Sequence, residues 1–178
     1  MPDERNNLFL YEALELRGEY DARIKDLRAL LPENRTRRSG WLVAGESQES
    51  MVPAEDVDLS KLREKLKGLE RKRVMLNSAI QQANYENRLT ALGETMSLAR
   101  ALEERKATDK RIAELHERLV QSAFVKVIYK EDRDIVTPNN SSFTETQKEL
   151  DEARSSFREL NRRLREASFK VTVDFKDE

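Results

Sequence analysis

A chain of 178 residues with a formal charge of −1 has the length of a single domain, and its 33 basic against 34 acidic residues argue against a general polyanion binder. Cysteine is absent, which removes disulfides and thiolate metal sites and gives no hint of an oxidising compartment. Apolar and charged residues each make up 38%, with only 5 Gly and 4 Pro, the profile of long helices; periodic leucines and balanced charge set it apart from disorder.

The opening Met1-Pro2-Asp3-Glu4-Arg5 lacks the apolar segment of a signal peptide. No apolar run approaches the ~20 residues that span a bilayer, so a cytoplasmic protein without membrane contact is expected. A first helix is predicted over residues 7–31, with Leu10, Leu14, Tyr20, Ile24, Leu27 and Leu31 apolar and Pro32 as the stop. Gly18 lies inside it, either as a weak spot costing about 1 kcal/mol relative to Ala or as a point of close helix approach.

Residues 33–58 read as a long loop, basic at Arg35, Arg37 and Arg38, with a short strand between Gly40 and Gly45. Trp41, the one tryptophan, is expected to anchor this loop to the bundle, with a partner or ligand contact as the alternative. The second helix, over 58–87 with Asp58 as N-cap, has the sharpest pattern in the chain. Leu59, Leu62, Leu66, Leu69, Arg73, Leu76, Ile80 and Ala83 follow a 3-4 heptad spacing that defines a narrow a/d seam. Arg73 alone breaks it, and a charge in a seam snorkels or pairs with a carboxylate.

A third helix is predicted over 94–122, with Leu98, Leu102, Ile112, Leu115 and Leu119 on its apolar face. Its middle is polar from Glu103 to Arg111, and alternating charge favours a solvent-facing stretch. The period then shortens to two. Residues 124–137 read as a β-hairpin, Phe124 to Tyr129 returning through Ile135 to Thr137. A fourth helix over 144–168 opens on a Thr144–Gln147 capping box. It repeats the seam at Leu150, Ala153, Phe157, Leu160, Leu164 and Ala167. Residues 169–175 alternate as a half-buried strand. The fold class is therefore mainly α: one domain over 1–178, a bundle of four long helices with coiled-coil-like seams, plus a small antiparallel sheet built from the hairpin and the C-terminal strand. An isolated hairpin is marginal, so the last strand is expected to complete that sheet, within the chain or in a neighbouring subunit.

No constellation of catalytic residues emerges. The lone His116 has Ala113 three residues before it, not the Glu of a di-metal bundle, and neither phosphate-binding glycine loops nor a nucleophile elbow occurs. Glu103, Glu104 and Asp109 form only a generic acidic group. Neither catalytic residues nor cofactor or metal ligands are assigned. Narrow seams suit helices that pair in extended fashion better than a globular core, so a non-enzymatic homo-oligomeric scaffold or adaptor is expected, acting on itself and on other proteins. The oligomer seam would use Leu59, Leu62, Leu66, Leu69, Arg73, Leu76, Ile80, Leu150, Phe157, Leu160 and Leu164. The alternative, nucleic-acid binding, would use Arg35, Arg37, Arg38, Lys61, Lys65 and Lys72, the last three from a basic cluster running from Lys61 to Arg73. Arg158, Arg162, Arg163 and Arg165 supply further positive charge on the fourth helix.

Several segments resemble the septicolysin-like family of small bacterial helical proteins. They are Leu14-Glu15-Leu16-Arg17, Pro53-Ala54-Glu55-Asp56, Leu76-Asn77 to Asn84, Ala101-Leu102 to Arg105, and Phe157-Arg158-Glu159-Leu160-Asn161 to Ala167. Two departures stand out: Lys106 follows Arg105 where the family has an aspartate, and Gln82-Ala83 stands where Arg-Thr is common. The resemblance implies a helical, oligomeric, cytoplasmic protein. The family's name also implies a pore-forming toxin, which ranks last because the sequence shows no amphipathic membrane hairpin.

Overall fold

The structure, a computed structural model, describes residues 7–31, 54–129, 133, 135–137 and 142–177. The predicted strand between Gly40 and Gly45, Trp41, Arg35, Arg37 and Arg38 lie outside the described residues. The protein is mainly helical. Among the described residues are α1 (Leu10–Leu30), α2 (Leu59–Glu86), α3 (Leu98–Ser122) and α4 (Phe143–Ser168). Short strands accompany them: β1 (Asn7–Phe9), β2 (Arg88–Ala91), β3 (Glu94–Ser97), β4 (Lys126–Ile128), β5 (Ile135–Thr137) and β6 (Thr172–Asp174). They pair antiparallel as β1–β6, β2–β3 and β4–β5. The chain divides into two compact units, one of 1–83 with 171–178, the other of 84–170.

In the first unit, the residues predicted to begin α1 are a strand instead. Asn7, Leu8 and Phe9 pair with Asp174, Val173 and Thr172. The C-terminal strand thus completes a sheet with β1 and not with the 124–137 hairpin. Phe9 stays extended, its N–H donates to the Glu12 carboxylate at 2.8 Å, and the Leu10 N–H donates to the Val171 carbonyl at 2.8 Å. These bonds satisfy amides that a longer helix would have left orphaned at its start. Leu10, Ala13, Tyr20 and Ile24 are the buried face of α1, and Val173 and Phe175 are buried beyond it in sequence. Asp58 caps α2 as predicted, accepting from the Ser60 and Lys61 N–H groups at 3.0 and 3.1 Å. Arg28–Glu70 (2.6 Å) and Arg73–Asp21 link α1 to α2.

A Cβ added at Gly18 would meet nothing within 4 Å, so this glycine marks no close approach. It is the weak spot of the helix. Gly18→Ala is expected to raise unfolding free energy by about 0.5–1 kcal/mol, read as a higher urea midpoint at unchanged slope.

In the second unit, the predicted helix over 94–122 begins four residues late. Its first turn is strand β3, paired with β2 in the register Arg88↔Ser97, Leu89↔Met96, Thr90↔Thr95 and Ala91↔Glu94. The two-residue loop Leu92-Gly93 has φ of 53° and 80°, positive at both central positions as a type I′ hairpin turn requires. Leu89, Ala91 and Met96 are buried from the sheet, and the Glu159 carboxylate accepts the Leu92 N–H at 3.1 Å. Ser97 then caps α3, its hydroxyl accepting the Arg100 N–H at 3.2 Å. The cap of α4 also moves, from Thr144 to Ser142, which takes the Glu145 N–H. Two Ser/Thr-x-x-Glu/Gln frames overlap here, and the earlier one puts the acid Glu145 at N3, the capping-box position. Leu115, Leu150 and Ala153 form the core between α3 and α4, with Ile112 and Leu119 against it.

Candidate interaction surfaces

The predicted seam of α2 is graded along its length. Leu59, Leu62, Leu66 and Leu69 are half-buried, while Leu76, Ile80 and Ala83 are buried. Arg73 is paired with Asp21 of α1. On α4, Leu150 and Leu160 are buried, and Phe157 and Leu164 half-buried.

Part of the basic cluster of α2 is committed to carboxylates within the chain, Arg73 through Asp21 among them. Lys61 pairs with Asp58 at 3.5 Å, and Lys72 with Asp177 at 2.8 Å. Lys65 remains on an exposed position. Asp177 also accepts the Tyr20 hydroxyl at 2.5 Å. Its bond to Lys72 and then that to Tyr20 hold this carboxyl below the ordinary carboxylate range. Burial, followed by the same hydrogen bond, pushes the Tyr20 phenol up. Sequence reading gave no sign of this clasp, because it joins residues 157 positions apart.

The acidic group of α3 is not gathered into a ligand set. Glu103 pairs with Lys106 at 2.8 Å and Glu104 lies 3.9 Å from Arg100, while Asp109 is exposed. Among the described residues no three His, Asp or Glu side chains converge as a metal site. His116 lies exposed on α3.

Two surfaces of the second unit stand out. One is the β4–β5 hairpin, with Lys126↔Thr137, Val127↔Val136 and Ile128↔Ile135 in register. Phe124 is 75% exposed and Tyr129 80%; Val125, Val127, Ile128, Ile135 and Val136 are also exposed. The sequence marks these strands as apolar and alternating, yet both faces carry exposed apolar side chains. The other is an open groove of about 400 Å³ along α4, lined by Phe157, Arg158, Asn161, Arg162, Arg165, Glu166 and Phe169.

These features define a mainly helical protein whose distinctive chemistry lies on exposed faces, apolar on the hairpin and cationic on α4. The chain belongs to a family of unknown function (DUF6847), which it matches over residues 17–173. It is also similar in fold to a functionally unknown conserved protein from Corynebacterium diphtheriae, known from a crystal structure. That match has 23% identity and a TM-score of 0.65, covering 94% of this chain and 99% of the other. No curated protein matches the chain. Among the described residues no helix is long and apolar enough to cross a membrane.

Proposed function

We propose that the protein is a non-enzymatic, homo-oligomeric helical scaffold or adaptor, and that copies associate through the β4–β5 hairpin. The exposed hairpin is the observation behind this reading. A two-stranded hairpin is marginal in water unless it packs against something, and among the described residues both its strands are open edges. A buried aromatic contributes roughly 150–250 Å². Phe124, Tyr129 and their aliphatic neighbours therefore offer several hundred Å² of apolar surface, spread over both faces of the hairpin. An exposed apolar cluster of this kind marks an interaction site more often than an isolated surface leucine does. The half-buried Leu59, Leu62, Leu66 and Leu69 of the first unit offer a separate helix seam to a partner copy. The septicolysin-like resemblance, which implies a helical oligomer of the cytoplasm, agrees with this reading.

Light scattering coupled to size exclusion tests it. The wild-type chain is expected to run as a defined oligomer at micromolar concentration. Ile128→Glu combined with Tyr129→Lys should yield a folded monomer, because both positions are solvent-exposed and their replacement leaves the chain's own core intact. A wild-type monomer, or an oligomer indifferent to the double substitution, would sink the proposal.

A further inference from the structure

We infer that the groove on α4 is a binding site for single-stranded nucleic acid, distinct from the hairpin and from the basic cluster of α2. Arg158, Arg162 and Arg165 are spaced i, i+4 and i+7, which places them on one helix face. All three are exposed and, among the described residues, none has a carboxylate partner. Their neighbours on the same helix differ. Arg154 pairs with Asp151 at 3.5 Å, and Arg163 with Glu166 at 3.2 Å. Glu166 is the acidic residue lining the groove and is engaged with Arg163, so the stripe presents uncompensated positive charge.

The helix dipole accounts for a cation in the last turn, such as Arg165, but its influence fades within one turn and does not reach Arg158. The stripe spans about 10 Å of helix axis. Three guanidiniums over that length can each meet a phosphate of a single strand, whose backbone is not held to the roughly 3.4 Å per charge of a duplex strand.

Aromatic flanks narrow the ligand class. Phe169 is 55% exposed just beyond the helix, and the half-buried Phe157 lines the same groove beside Asn161. Cationic residues tracking a backbone, with aromatic faces alongside, are what unpaired bases use for stacking. In a duplex those base faces are already occupied, which favours a single strand.

Fluorescence anisotropy with a labelled oligo-dT 20-mer, titrated with the full-length protein at ~50 mM salt and upward, tests the assignment. Binding is expected, weakening steeply as salt rises. The variant Arg158→Glu, Arg162→Glu, Arg165→Glu should lose more than tenfold in affinity and flatten the log–log salt slope by about 2, at ~0.7 per phosphate contact on a single strand. Phe169→Ala should lose roughly fivefold or more with the salt slope unchanged, as stacking predicts. Circular dichroism of each variant should show wild-type helicity, since the replaced arginines and Phe169 are exposed. The monomeric hairpin variant should keep binding, which separates this inference from the oligomer proposal. Absence of binding at low salt, insensitivity to the triple substitution, or equal competition by inorganic polyphosphate and by oligo-dT would each overturn it.

Discussion

Leu150→Ala is expected to lower the unfolding free energy by about 2–5 kcal/mol, the range for truncating a buried leucine when the cavity cannot collapse. Leu150 is 1% exposed and sits with Leu115 and Ala153 in the core between α3 and α4. A backbone held by helical hydrogen bonds on both sides leaves little freedom to fill the void. Surface ion pairs across the same interface, Arg111–Glu149 at 3.8 Å and Arg118–Glu149 at 3.9 Å, are half-solvated and together offset little of the loss. Leu66→Ala on α2 is the informative contrast. Leu66 is only half-buried in the chain, so within one copy the substitution should cost well under ~2 kcal/mol. Should a second copy cover that seam, the cost would rise towards that of Leu150→Ala and vary with protein concentration. Urea denaturation followed by circular dichroism at two concentrations tenfold apart reads both outcomes.

The same comparison explains what sequence patterning could reveal. Heptad spacing in α4 picks out Leu150, Ala153 and Leu160, all buried, because a 3-4 repeat is a local property of one helix. It cannot say which seam is covered, and so treats Leu66 and Leu76 alike although only Leu76 is buried. The hairpin of β2 and β3 went unread because Leu92 occupies a position where Asn or Gly would signal a type I′ turn. Strand β1 reads as part of α1 in the sequence because its partner β6 lies at the other end of the chain, and pairing over that separation leaves no local trace. Strands β4 and β5 were legible as strands, but their exposure was not, because alternation is silent on what covers each face. For α4, the helical spacing of Arg158, Arg162 and Arg165 is visible in the sequence. Their lack of a carboxylate partner among the described residues is not, for it depends on Glu166 choosing Arg163.

Tyr20→Ala should destabilise the protein by about 3–5 kcal/mol, as other buried aromatic truncations do. Tyr20 is 1% exposed and combines a packed ring with a hydroxyl that donates to Asp177. Tyr20→Phe separates the two contributions. It keeps the ring and removes both the donor and its need for a partner, so a cost near 1 kcal/mol is expected. Asp177→Ala instead strands the buried hydroxyl, and its cost should equal or exceed that of Tyr20→Phe, tempered by water that can enter where Asp177 stands half in solvent. The pH dependence follows from the two shifts. Asp177 titrates lower in the folded state than its usual 3.8, so its contribution is present above that value and is lost as pH falls through the depressed folded value. Tyr20 titrates higher than its usual 10.0, so its contribution is full below 10.0 and is lost as pH rises beyond it. Wild-type stability should thus fall at both extremes. Asp177→Ala should blunt the acid limb, and Tyr20→Phe should remove the alkaline limb while trimming the acid one only in part, because Lys72 lowers Asp177 more than Tyr20 does. Urea midpoints measured from pH 3 to pH 11 on the three chains check this; parallel profiles would show that the clasp has no part in holding the C-terminal residues to α1.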